Sequence, residues 1–476
     1  MSIKFIGKRS VLYTLSKIIS AVLSLLSISL FTRLFDAETY GQYLLFVSYV
    51  TLICSLFFWW HRLSTYRYYH KYKEYYDSFL KTSYLSFFLI ISVIIILSLI
   101  LYNFQFLHQY NIITLLPFCA LAAIFKSNFD LNQSLFNISR RDYLFCLNIV
   151  LRPVIFVTLS LIFHNYFKIY DFALIYSLML SFFITAVASN FLILKKNTSG
   201  KYEKKIISKF FSYGFPLTGL FIFDYILTFS DRLLIGHYLG SDMVGMYGAN
   251  YDLIKMMVLF GMIIQGYIIY PELNKTFEKN DLNEVKKLMT FNFNIFITVF
   301  LPLCVFILYF NNSISDIFIG KKFTILSSEL IPLFSMMFLF WGLKIHHFDY
   351  IFQLSEKTSL SMYILFFGSF INLLLNIFLI PRLELLGAAY ATFISYFIIL
   401  LISLLISRKL LKVAIDIKIL IKTGIFLIMS LIISIVFSRF GFNDFIVMAI
   451  FISCYGVLSF KYNYKDLRPY FIKFYY

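Results

Sequence analysis

No polar stretch of this 476-residue chain is long enough to fold around a core of its own. The longest breaks between apolar runs, near 61–81, 195–209 and 271–289, are short and charged, so whatever the chain does happens within its apolar segments or at their ends. Cysteine is scarce: Cys54, Cys119, Cys146, Cys304 and Cys454 show neither the pairing pattern of a disulfide framework nor the spacing of a metal site. The Gly-Lys pairs at Gly7, Gly200 and Gly320 lack the upstream Gly and the following Ser or Thr of a phosphate loop, which excludes ATP hydrolysis by that route. The short alternating segments of an outer-membrane barrel are missing. So is a cleavable signal peptide, because the first apolar stretch is too long and has no small-residue cleavage site; it is expected to remain in the membrane.

What is present is fourteen apolar segments, near 10–33, 41–60, 82–102, 111–131, 143–164, 171–194, 210–235, 244–270, 290–310, 326–352, 358–380, 385–407, 418–438 and 442–460. About 20 residues of helix cross a hydrocarbon core, and only a helix satisfies its own backbone there. The cations alternate with these segments. One side receives the clusters around Lys8, Arg67, Arg141, Lys204, Lys286, Lys357, Arg408 and Lys465, thirty in all, against seven on the other: Arg33, Lys168, Arg232, Lys321, Lys322, Arg382 and Arg439. The positive-inside rule places both termini in the cytoplasm. The net charge of +18 is thus spread over many cytoplasmic segments, not gathered into a nucleic-acid face. Topology and attraction to anionic lipid account for it.

An internal repeat is legible. FTRLFDAETYGQY and FSDRLLIGHYLGSDMVGMYG both carry Arg-Leu, an acidic loop and Gly-x-Tyr, which aligns Arg33, Gly41 and Tyr43 with Arg232, Gly245 and Tyr247. Six spans separate the copies, the arrangement of a transporter built from parallel repeats. The prolines Pro117, Pro153, Pro216, Pro302 and Pro332 mark bending points, with Gly214, Pro216 and Gly219 the strongest.

The opening through YGQY, the stretch Ser212–Leu253, Pro271-Glu272 and INLLLNIFLIPRLELLGAAYATFISY together resemble the polysaccharide transporter family, the Wzx-type oligosaccharide flippases of the multidrug/oligosaccharidyl-lipid/polysaccharide superfamily. The resemblance implies an all-α integral membrane protein of about fourteen helices, similar to the multidrug exporters of that superfamily. Its parts are an N-lobe (1–200), a C-lobe (201–412) and two extra spans with a cytoplasmic tail (413–476). It implies a multi-pass protein of the bacterial cytoplasmic (inner) membrane that moves undecaprenyl-pyrophosphate-linked oligosaccharide from the inner to the outer leaflet by alternating access, for O-antigen, capsule or a related polysaccharide. No bond is made, so it is not expected to be an enzyme or to hold a cofactor, although coupling to H+ or Na+ is usual. Its partners would be the lipid-linked oligosaccharide, membrane lipid and assembly proteins such as a polymerase, and no nucleic acid.

Charges within spans nominate the site. Lys17, Arg152, Lys255 and Lys344 lie inside apolar segments. An ionised group at mid-membrane costs about 2.5–3.5 kcal/mol on insertion scales, so they are expected to face a wet, cationic cavity suited to a pyrophosphate. The plainer readings are that Lys17 snorkels and that Lys255 pairs with Asp252. Asp224 and Asp349 are candidates for ion coupling or for salt bridges with Lys255 or Lys344. Asp231 and Arg232 are read as a gate or helix end. No metal site is expected. The rivals are a flippase for a peptidoglycan lipid precursor, a multidrug exporter of the same superfamily, whose cavity should be apolar or acidic, and a polytopic polymerase, which would need long outer loops.

Overall fold

A computed structural model describes residues 3–103, 112–194, 200–411 and 416–475. Lys195, Lys196 and Lys412, counted above as cytoplasmic cations, lie outside the described residues. The chain divides into two compact units, Met1–Gly248 and Ala249–Tyr476.

The first unit contains α1 (Ile3–Leu34), α2 (Ala37–Phe57), α3 (Trp59–Tyr68), α4 (Tyr76–Asn103), α5 (Ile112–Ile138), α6 (Asp142–Asn165), α7 (Ala173–Leu194), α8 (Lys204–Gly214), α9 (Thr218–Tyr238) and the start of α10 (Ser241–Glu278). The second holds the rest of α10, then α11 (Leu282–Ile295), α12 (Leu301–Tyr309), α13 (Asn311–Phe318), α14 (Ser327–Leu343), α15 (Asp349–Leu354), α16 (Thr358–Leu410), α17 (Ile417–Arg439) and α18 (Asp444–Tyr475). Single π-helical turns, Phe296–Phe300 and Lys344–Phe348, join α11 to α12 and α14 to α15. Among the described residues there is no strand.

Among the described residues, eleven helical runs are long and apolar enough to cross a membrane. One of them, α16, is 53 residues long and bends at Glu384 (φ 52°, ψ −130°), so it supplies two crossings. A Cβ on Gly387 would fall against the backbone of Leu379 and Ile380, which is why the returning arm of that hairpin begins with glycine. With α5 (27 residues) and α10 (38 residues), each longer than the about 20 needed, the fourteen apolar segments are accounted for.

The polar residues inside these helices are mostly self-satisfied. Ser48, Thr51, Ser83, Ser177 and Ser395 each donate to the carbonyl four residues back, at 2.6–2.8 Å. This removes the cost of an unpaired hydroxyl in an apolar setting. The helix starts are capped by carboxylates: Asp36 Oδ1 accepts from Thr39 N (2.7 Å), and Asp416 Oδ1 accepts from Lys418 N and Ile419 N. Pro216 interrupts its run outright, in a 3-10 turn Phe215–Leu217 that separates α8 from α9. In the first unit α1 packs on α6, α6 on α7, α7 on α5, α5 on α2 and α2 on α9; in the second, α14 packs on α12 and α16, and α17 on α18. Large apolar side chains left exposed, such as Phe88, Ile96, Ile428 and Ile432, form the lipid-facing surface.

The glycines paired by the internal repeat meet in space. A side chain on Gly41 of α2 would run into the backbone of Ser241 and Gly245 of α10, and one on Gly245 into Ala37 and Gly41. The two helices cross at backbone contact, a distance that only glycine permits.

Candidate functional site

A cluster of charge in the first unit joins Arg152, nominated from the sequence, to three residues that were not: Arg62, Lys126 and Asp130. Lys126 Nζ lies 2.9 Å from Asp130 Oδ2 on α5, and Arg62 Nη1 of α3 lies 3.8 Å from the same oxygen. Lys126 also sits over the Trp59 ring, 5.9 Å from its centroid, and Trp59 packs edge-on against Phe221. Arg152 of α6 stacks over Phe182 (5.0 Å) and is within electrostatic reach of Asp130 and Tyr43. Three cations thus surround one carboxylate inside a bundle of apolar helices. The span reading ended α5 near residue 131 and placed Lys126 at the cytoplasmic edge. The helix in fact continues to Ile138, which puts Lys126 about 18 Å from its end at 1.5 Å per residue.

The same face of α5 continues with Gln133 and Asn137, spaced from Lys126 and Asp130 at helical period. Tyr13 of α1 closes this stripe: its hydroxyl donates to Asp142 Oδ1 (2.8 Å) and lies 3.1 Å from Asn137 Oδ1. Lys17, half-buried, is one turn along α1 from Tyr13. The neighbouring face of α5 is structural. Asn132 donates to Asn190 Oδ1 (2.8 Å), Asn128 Oδ1 (3.0 Å) and Ala186 O (3.2 Å), and accepts from Tyr84 (2.7 Å), tying together α4, α5 and α7.

The other nominated residues have different surroundings. Asp231 and Arg232 are buried within α9, which continues to Tyr238; Tyr247 donates to Asp231 Oδ2 at 2.7 Å. Asp224 is half-buried on the same helix. In the second unit, Lys255 lies over the Tyr251 ring (5.6 Å). Lys344 is sealed: Nζ is 2.8 Å from Asp349 Oδ2 and 3.2 Å from Ser361 Oγ, and Ser361 donates to Asp349 Oδ1 at 2.9 Å. Close by in sequence, Asn292 donates to His346 O (2.8 Å) and lies 3.1 Å from His347 Nδ1, while Gln265 donates to Asn292 Oδ1 (2.6 Å). These bonds fasten α10 and α11 to the π turn at Lys344–Phe348, whose altered register frees a backbone carbonyl. The structure therefore brings Arg152 into a group with unpredicted partners and joins Lys344 to Asp349. Among the described residues no group of three His, Cys, Asp or Glu side chains is placed to hold a metal ion.

A polytopic bundle of long apolar helices with charge clusters inside it defines a multi-pass membrane protein. The fold matches the Lipid II flippase MurJ in an inward closed conformation with a TM-score of 0.70, at 18% identity, covering 96% of this chain and 99% of that one. It also matches an outward-facing MATE family multidrug resistance transporter of the MOP superfamily with a TM-score of 0.60, at 14% identity, covering 84% and 95%. Residues 6–260 match the polysaccharide biosynthesis protein family, and the chain belongs to it. Among curated relatives, it is 26% identical over 230 residues to a probable low-salt glycan biosynthesis flippase, Agl15, of Haloferax volcanii, covering 47% of this chain and 46% of that protein. It is 24% identical over 201 residues to an uncharacterized membrane protein of Methanocaldococcus jannaschii, covering 41% and 38%. The match spans less than half the length of either relative.

Proposed function

We propose that this protein flips undecaprenyl-pyrophosphate-linked oligosaccharide units from the cytoplasmic to the outer leaflet of the bacterial cytoplasmic membrane, for export of O-antigen, capsule or a related polysaccharide. It makes no bond and holds no cofactor. Both termini face the cytoplasm, and the repeat-based division into lobes at 1–200 and 201–412, with two further spans, supplies the two halves that alternate.

The observation that carries this reading is the surplus of cations at Arg62, Lys126 and Arg152 over the one carboxylate, Asp130. Arginine offers a planar fork for phosphate oxygens, and lysine a point charge. In the absence of substrate Asp130 holds Lys126 and Arg62 in place; an arriving pyrophosphate competes with it for both. Lys17 extends the cationic lining of the first unit, and Lys255 remains a candidate for substrate contact in the second. The Lys344–Asp349 pair is a closed salt bridge, and Asp224 remains the candidate for H+ or Na+ coupling. An interior-negative potential favours outward movement of an anion by about 2.3 kcal/mol per charge per 100 mV, so transport has a driving force without an ion site. The same surplus of cations disfavours a carrier of cationic drugs.

The test is a strain deleted for this protein and complemented with wild type, Arg62→Ala or Arg152→Ala. The expected result is loss of surface polymer, with single lipid-linked units accumulating on the cytoplasmic side, and no rescue by either variant at normal expression. Unchanged surface polymer with a defect in peptidoglycan synthesis would move the assignment to a peptidoglycan precursor. A change only in drug sensitivity would move it to a multidrug exporter.

A further inference from the structure

The cationic cluster is flanked by polar groups that find no hydrogen-bond partner among the described residues. Gln133 is 8% exposed, and neither its Oε1 nor its Nε2 has a hydrogen-bond partner. The indole N–H of Trp59, whose ring carries Lys126, is likewise buried without an acceptor. Other buried amides of this unit behave differently: Asn132 is bonded on both sides of its amide, and Asn148 donates to Ser189 Oγ at 2.8 Å. A glutamine whose only task was to fill the interior would be replaced by methionine or leucine without loss, since an unpaired buried amide works against folding.

We infer that Gln133 forms a subsite for the hydroxyl or acylamino groups of the sugar next to the pyrophosphate, with the Trp59 indole at Lys126 as a further donor on the pyrophosphate side. The inference rests on the flippase reading. Gln133 follows Lys126 by about 10 Å along α5 and Asp130 by about one turn, on the same face. A pyrophosphate held by Arg62 and Lys126 therefore leaves the adjoining sugar level with the Gln133 amide. That amide offers two donors and an acceptor, the complement of a pair of sugar hydroxyls or of an acylamino group. Such a site discriminates strongly, because a ligand lacking those groups leaves the amide unpaired as before.

The experiment uses the full-length protein in proteoliposomes and two probes: undecaprenyl diphosphate, and the undecaprenyl-diphosphate-linked oligosaccharide extracted from the deletion strain. Wild type is expected to move the glycosylated lipid at least tenfold faster than the bare one. Gln133→Met, close to glutamine in size but with no N–H donor and only a weak sulfur acceptor, is expected to erase most of that preference while leaving the rate for undecaprenyl diphosphate unchanged and the melting temperature unchanged or higher. Trp59→Phe, which keeps a ring and removes the N–H on the pyrophosphate side, should slow both lipids about threefold. If Gln133→Met slows both lipids equally, or neither, the sugar subsite is wrong while the flippase reading stands. If wild type moves neither lipid, the flippase reading falls and the subsite with it.

Discussion

Two ion clusters set among the helices of this protein have opposite characters. The pair Lys344–Asp349 has one charge of each sign, a shared serine and side chains 4% and 12% exposed. The group around Asp130 has three cations to one carboxylate, side chains at Arg62, Lys126 and Asp130 that are 39%, 23% and 18% exposed, and unsatisfied polar atoms at its border. A neutral, fully bonded pair holds helices together and has nothing left to offer a ligand. A cluster with surplus charge and spare hydrogen-bonding capacity still has contacts to make, which is what the proposed function asks of it.

Breaking the sealed pair should have the largest effect on stability. Lys344→Ala leaves Asp349 buried without its partner and is expected to cost about 3–5 kcal/mol, whereas Lys344→Met combined with Asp349→Leu should recover most of that loss. Thermal unfolding in detergent measures both. Next comes the contrast between adjacent residues of α5: Asn132→Leu removes several buried hydrogen bonds and should destabilise by about 2–4 kcal/mol, while Gln133→Met should be neutral or stabilising. At the cationic cluster the ranking reverses, with stability little changed and ligand binding strongly affected. Arg152→Ala is expected to weaken binding of an undecaprenyl-diphosphate-linked substrate by about tenfold or more, the range for loss of a charge-assisted contact. Asp130→Asn removes the internal competitor and should tighten binding of the same lipid while slowing its release, read by equilibrium binding beside single-turnover flipping. The smallest effect is at a helix start: Asp36→Ala removes the cap of α2 and should cost about 1 kcal/mol, without altering binding.

The sequence exposed the frame of the molecule and hid most of its site. Fourteen apolar segments and the alternation of cations across them were readable because each span is a local property of about 20 residues. The relation of Gly41 to Gly245 was readable because both copies of the repeat keep Gly-x-Tyr, and the structure has those glycines facing each other. Arg62, Lys126 and Asp130 were missed because the apolar windows ended too early. The helix boundaries set by capping and tertiary packing lie further on, so residues taken for cytoplasmic flanks sit inside the bundle. Had α5 been extended to Ile138, the helical spacing of Lys126, Asp130, Gln133 and Asn137 would have shown a polar stripe.

The sequence by itself determined that this chain is a set of membrane-crossing helices with positive charge concentrated at alternate ends of them. In hydrocarbon no other secondary structure of such segments satisfies the backbone. Which charges are paired and which are left over was decided only by the tertiary structure. Arg62 meets Asp130 across two helices far apart in sequence. Lys344 and Asp349, about 140° apart on an ideal α-helix, share a face because one turn there is π-helical. Distances of a few ångströms between helices set the energies of buried charges, and those distances follow from packing, which no local window of residues contains.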